Sequence, residues 1–191
     1  MDDKKKSEDG FIPQHGGYKK LLTFQKAEII YDGTVYFCNK YLKMNDRTRD
    51  QMTQAARSGK QNIAEASMAS ATSKEAEIKL TNVARASLEE LLIDYQDFLR
   101  THKLKEWEKD HKYVKRLREL NRTPNANYET FRKGIENPNP EISANVLIGL
   151  IKITSYLLSR QIKRLEQDFI NEGGLRERMT KARINHRKKG Q

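Results

Sequence analysis

Cysteine occurs once in the 191 residues, at Cys38, so no internal disulfide can form. Histidine occurs four times, at His15, His102, His111 and His186, without a ligand spacing such as His-Glu-x-x-His. Neither glycine pair is followed by the Lys-Ser/Thr that a phosphate-cradling loop needs. The N-terminal MDDKKKSEDG lacks the apolar run of a secretory signal. The most apolar window, Ile142 to Leu158, is interrupted by Asn145, Lys152 and Ser155, whereas a spanning helix needs about 20 mostly apolar residues. Together these absences argue against a disulfide scaffold, a membrane protein, a metalloenzyme and a P-loop enzyme. No catalytic residue, metal or cofactor is expected, and cytoplasmic residence is the default.

Prolines number only four and aromatics make up 8% of the chain, while 36% of residues are hydrophobic and 33% charged. That balance reads as one helical, heavily solvated domain with appendages. Residues 1–17 hold charge, Pro13 and the Gly16-Gly17 pair, the composition of a mobile arm. The spacing predicts a first helix over about 18–42, with Phe24, Ala27, Tyr31, Val35, Cys38 and Leu42 on one face. A second, over about 46–70, is capped by Asn45 or Asp46. Its buried stripe of Met52, Ala55, Ala56, Gly59, Ile63 and Ala66 is small enough for two helix axes to approach closely. The third, over about 73–102, opens on Thr72-Ser73-Lys74-Glu75 with a capping-box pattern. Its expected buried positions are Ala76, Leu80, Val83, Ala84, Leu88, Leu91, Leu92, Tyr95 and Leu99.

Residues 103–137 form an inserted helical segment. Lys103 to Arg122 is dense in charge and reads as an extension of the third helix or a separate amphipathic one. A short helix is expected over Tyr128 to Ile135, between Pro124 and the Asn137-Pro138-Asn139-Pro140 break. The fourth helix, over about 141–172, spans about 48 Å at 1.5 Å per residue. Val146 to Leu158 is apolar nearly all round, which four helices alone would leave partly wet, so a partner subunit is expected to cover it.

The run QAARSGKQNIAEA over Gln54 to Ala66, a Ser-Lys-Glu start, and ARASLEELL within Leu80 to Leu99 together carry a resemblance. They are similar to the four-helix-bundle proteins encoded in intervening sequences of bacterial 23S ribosomal RNA genes. That family reads A-x-x-S-I-P-x-N-I-A-E-G and then A-x-x-S-L-x-E-L. This chain has Gly59 and Lys60 in place of Ile and Pro, and Ala66 in place of Gly. The match spans Tyr18 to Leu99 and Ile142 to Phe169. It implies an all-α, antiparallel up-down four-helix bundle, here with a helical insertion between helices 3 and 4 and a basic C-terminal tail. The family is similar in fold to the accessory protein of diversity-generating retroelements, a barrel-like pentamer with a basic surface. The implied assembly is a homo-oligomer, on that pattern a pentamer, with nucleic acid as ligand and a partner such as a reverse transcriptase.

The tail over 173–191 carries Arg176, Arg178, Lys181, Arg183, Arg187, Lys188 and Lys189 against one acid, Glu177, and so holds +6 of the chain's +11. A charge this concentrated attracts phosphate backbones, RNA or DNA, without reading sequence. It also resembles the suffix segment behind four-helix-bundle proteins of some bacteria. The alternative is a solvated terminus that binds nothing. Arg57, Asn62 and Glu65, with Gln61, border the small-residue seam, where Asn62 and Glu65 read as a buried or half-buried hydrogen-bonded link between helices, the alternative being a functional polar pair. Trp107 and Tyr113, set among Lys105, Lys109, Lys112, Lys115 and Arg116, either stack on bases or anchor an appended helix. Glu106, Glu108, Asp110 and His111 read as a solvated charged helix, and Cys38 as a buried small hydrophobe. The expected function is therefore non-enzymatic nucleic-acid binding through backbone electrostatics, accessory to an RNA- or reverse-transcription-related complex. The competing one is a protein–protein interaction scaffold without a nucleic-acid role.

Overall fold

The computed structural model describes residues 17–189, and among these every regular element is helical. A 3-10 turn, Tyr18–Lys20, precedes α1 (Leu22–Tyr41), α2 (Arg47–Ala69), α3 (Lys74–Thr101), α4 (Lys112–Arg122), α5 (Tyr128–Ile135), α6 (Pro140–Glu172) and α7 (Leu175–Lys189). The mobile arm expected over residues 1–17 lies, apart from Gly17, outside the described residues. Contacts run from α1 to α2, α2 to α3, α3 to α6 and α6 back to α1, closing a ring of four long helices.

Helix α1 starts later than the spacing predicts, because Leu21 is extended (φ −70°, ψ 125°) after the 3-10 turn. Phe24, Ala27 and Cys38 are buried as expected, while Tyr31, Val35 and Leu42 are half-buried. A second face, including Lys26, Ile29, Ile30, Gly33 and Phe37, is buried too. The single stripe read from the sequence is too narrow because α1 packs against α2, α5 and α6 at once.

In α2 all six stripe residues are buried, and Asp46 caps the helix by accepting the Thr48 N–H at 2.9 Å. The seam with α3 is close. A Cβ on Gly59 would lie 2.8 Å from Leu88 Cδ2. At the start of α3 the reciprocal capping box does not form. Ser73 is the cap and accepts the Ala76 N–H at 3.1 Å, while Glu75 pairs with Lys79 at 2.6 Å. Ala84, Leu88, Leu91, Tyr95 and Leu99 are buried as expected; Ala76, Leu80 and Leu92 are only half-buried, and Val83 is 45% exposed. Thr81, Ser87 and Phe98 fill the core beside them.

Helix α3 does not extend into the insertion. Lys103 turns left-handed (φ 57°), and the Leu104 N–H returns to Leu99 O at 2.8 Å while the Lys103 N–H reaches Arg100 O at 3.2 Å. Those paired bonds are a Schellman stop, here without the usual glycine. Residues 102–111 then run as a non-helical strap, so the expected charged helix around Glu106, Glu108, Asp110 and His111 begins only at Lys112. Helix α5 has the bounds expected, held by a capping box between Asn127 and Thr130.

Helix α6 is long and apolar enough to cross a membrane by composition, and 61% of its most apolar window is buried within the fold, as in a core helix. Much of the surface expected to need a partner subunit is covered from within the chain, by α4 and α5. Gly149 and Gly134 make this docking close. A Cβ on Gly149 would fall 2.2 Å from Leu117 Cδ2, and one on Gly134 2.9 Å from Val146 Cγ2.

Burial also sets the response to alkali. The Cys38 thiol, desolvated in the core, is pushed up from 9.0 to about 11, and burial likewise raises the Tyr95 hydroxyl well above 10.0. Both bind a proton more tightly folded than unfolded, so their stabilisation is complete below pH 9 and is lost as pH rises through their folded values. Lys26 has the opposite sign, since burial lowers its pKa and its penalty eases with alkali. The urea midpoint is expected to hold to about pH 8.5 and to fall from pH 9 to 11, Cys38 contributing up to about 3 kcal/mol. Cys38→Ala should flatten that fall. An equal slope in the variant would refute the assignment.

Candidate nucleic-acid interface

The basic tail is a helix rather than an irregular terminus. Gly173 ends α6 at φ 73°, a conformation suited to glycine, and its N–H bonds Phe169 O at 2.9 Å. The next N–H, of Gly174, is accepted by the Glu177 carboxylate at 2.9 Å, so the one acid of the segment caps the start of α7. Arg176, Lys181, Arg183, Arg187 and Lys188 are exposed, and none has an acidic partner among the described residues. Arg178 and Lys189 lie on the same helix.

The helical period sorts these cations into rows. Arg176, Arg183 and Arg187 share one side and span about 16 Å of helix. Lys181 and Lys188 share another, with Leu175, Met179 and Ala182 between the two rows. No extended packing joins α7 to the other helices among the described residues. Its charges therefore face water rather than the protein.

The seam residues are structural in part. Asn62 is half-buried and donates to Ser58 O at 2.9 Å and Ser58 Oγ at 3.2 Å, and Ser58 Oγ meets Ser87 Oγ of α3 at 2.9 Å. The bond that crosses between the helices is thus the serine pair, and both Asn62 bonds stay within α2. Glu65, Gln61 and Arg57 do not join it, because their positions on α2 point away from the seam and leave them exposed.

The strap is tied down by Asn145 of α6, only 3% exposed. Its Oδ1 accepts the Trp107 N–H at 2.7 Å, and its Nδ2 donates to Lys105 O and Glu141 O, each at 2.8 Å. A polar residue inside an apolar helical run is the sequence signal for this clamp, although in the sequence it reads only as an interruption. Lys152 adds an ion pair to Glu106 at 2.5 Å. Trp107 is half-buried, packs on the core, and stacks on His111 with centroids 4.8 Å apart. The anchoring role is thus the one its packing displays.

Between the strap, α4 and α6 the docking leaves a cleft of about 610 Å³. Val114, Leu117, Ile148 and Ile153 form its apolar lining, with the rings of Trp107 and Tyr156. Its charged lining is Lys109, Arg118 and Lys152, with no carboxylate among them. The groove between α2 and α3 contrasts with it, being lined by Asp50, Glu90 and Asp94 beside Arg47. Among the described residues no group of three or more His, Cys, Asp and Glu side chains could hold a metal ion. Compared with models of protein families, with curated proteins and with solved structures, the chain matches none.

Proposed function

We propose that the protein is a non-enzymatic nucleic-acid-binding protein whose contact with the phosphate backbone is made by α7. The observation that carries this reading is the set of five exposed cations that have no acidic partner among the described residues, on a helix without extended packing among those residues. Neutralising phosphates releases condensed counterions, which favours binding without base recognition. RNA and DNA satisfy this chemistry alike.

The ring of α1, α2, α3 and α6 fits an antiparallel up-down four-helix bundle. Thr23, at the start of α1, bonds Gln161 late in α6 at 3.1 Å, while the Gly33 backbone approaches Leu147 near the α6 start. The α4–α5 insertion fits the same plan, and the bundle is the fold of the ribosomal-intervening-sequence proteins that the α2 and α3 motifs resemble. A homo-oligomer, a pentamer on the pattern of the retroelement accessory protein, would multiply the tail's contacts through effective concentration. It would use the apolar surface left on α6, where Ile170 is 74% and Phe169 39% exposed. A polymerase such as a reverse transcriptase, and cytoplasmic residence, belong to the same proposal.

Salt titration of a generic duplex tests it. With about five phosphate contacts, affinity should fall roughly 10²–10³-fold between about 50 and 200 mM salt. Removing residues 175–191 should lower affinity at low salt by about two orders of magnitude. A flat salt response, or full binding by the shortened chain, would refute the reading and leave the interaction scaffold.

A further inference from the structure

We propose that the cleft between α4, the strap and α6 receives one unpaired base of a single strand, a site distinct from the backbone contact of α7 and resting on the nucleic-acid reading above. The size fits a small planar group, since ligand clefts run from about 300 to 1,000 Å³ and this one holds about 610 Å³. Its composition sets the class of ligand. The floor is aliphatic, two aromatic rings line it, and its charged lining is Lys109, Arg118 and Lys152, with the strap carboxylates Glu106, Glu108 and Asp110 in the adjoining pocket beyond Lys109.

A complementary ligand has a flat apolar body and carries negative charge beside it, as a base and its flanking phosphates do. Tyr156 presents 61% of its surface to solvent and is free to stack. Lys152 is already paired to Glu106, whereas Lys109 and Arg118 are exposed and have no acidic partner among the described residues. Those two cations are the phosphate contacts. Base stacking tolerates any sequence because every base has a π face, so the site distinguishes single from double strands rather than one sequence from another.

The position of the cleft makes it separable from α7. Tyr156 precedes the first residue of α7 by 19 positions, about 28 Å along α6. Substitutions in one place therefore leave the other intact.

The full chain offers its own probe, because Trp107 is its single tryptophan and lines the cleft. Trp107 emission is followed while a single-stranded thymidine 12-mer, and separately a duplex of equal length, is titrated into the protein. The single strand should quench emission saturably and the duplex should not. Tyr156→Ala, at an exposed position the fold does not rely on, should weaken single-strand affinity about tenfold and change duplex affinity less than twofold. A Lys109→Gln, Arg118→Gln variant should weaken the single strand in the same way. Salt-dependent duplex binding with Trp107 silent to the single strand would overturn the cleft site and spare α7; loss of all binding would remove both. Quenching by an acidic helical peptide but not by the single strand would assign the cleft to a protein and equally overturn the proposal.

Discussion

Replacing Gly59 with leucine is expected to remove at least about 3 kcal/mol of stability, the upper end of the range for overpacked cores. Even one carbon at this position meets Leu88 Cδ2 at 2.8 Å and Leu88 Cγ at 3.0 Å, with the Ala84 carbonyl at 3.6 Å behind them. Leu88 is fully buried and has nowhere to turn, and the Ala84 carbonyl belongs to the α3 backbone. The remaining leucine atoms must push α2 and α3 apart along the most extensive helix contact of the fold. Against a usual total of about 5 to 15 kcal/mol, that loss lowers the thermal midpoint by roughly 6 to 12 °C. Gly59→Ala is the graded control. It gains up to about 1 kcal/mol of helix propensity and loses about 1 to 3 kcal/mol to the clash. Gly17→Ala, where nothing lies within 4 Å, should be silent. An unchanged midpoint for the leucine variant would mean that the seam is not close-packed.

Tyr95→Ala is expected to cost about 3 to 5 kcal/mol, as large aromatic truncations in cores do. Tyr95 is fully buried and meets the Phe37 ring edge-on, with centroids 5.0 Å apart at 69°. Its hydroxyl donates to Thr34 Oγ1 at 3.1 Å, tying α3 to α1. Tyr95→Phe separates packing from hydrogen bonding. Thr34 still donates to Ile30 O at 2.7 Å, so no donor is orphaned and the loss should stay near 1 kcal/mol. Equilibrium unfolding of both variants decides the matter: equal losses would place the contribution in the hydroxyl rather than the ring.

The sequence was most legible where one physical rule governs a segment. In α2 a helical period of small residues met a single packing partner face, and all six positions are buried. At α5 the proline breaks on either side bracket a helix that has the bounds expected. Legibility failed where a segment answers to several neighbours. Lys26 lies on what reads as a polar face of α1, yet it is buried because the later insertion comes back over it. The strap has the charge of an exposed helix, and distant partners on α6, Asn145 some 40 residues away and Lys152, hold it extended. Among the functional candidates, the charge of α7 was plain from composition. The cleft was not, since Trp107, Arg118 and Tyr156 are brought together by docking rather than by spacing.

The buried Lys26 bears on how firmly the insertion is held. Its ammonium donates to Asn121 Oδ1 of α4 at 2.6 Å and has no carboxylate partner among the described residues. When α4 lifts, Leu117 leaves its seat over Gly149, which opposes opening, but the amine regains water, which favours it. Detachment of residues 102–122 as a unit is therefore expected to cost less than global unfolding, and hydrogen exchange that protected α4 as long as α6 would refute this. Any ligand that bridges Arg118 on α4 to Tyr156 on α6 binds only the closed form and so acts as a latch, slowing the opening of this unit in proportion to its own affinity.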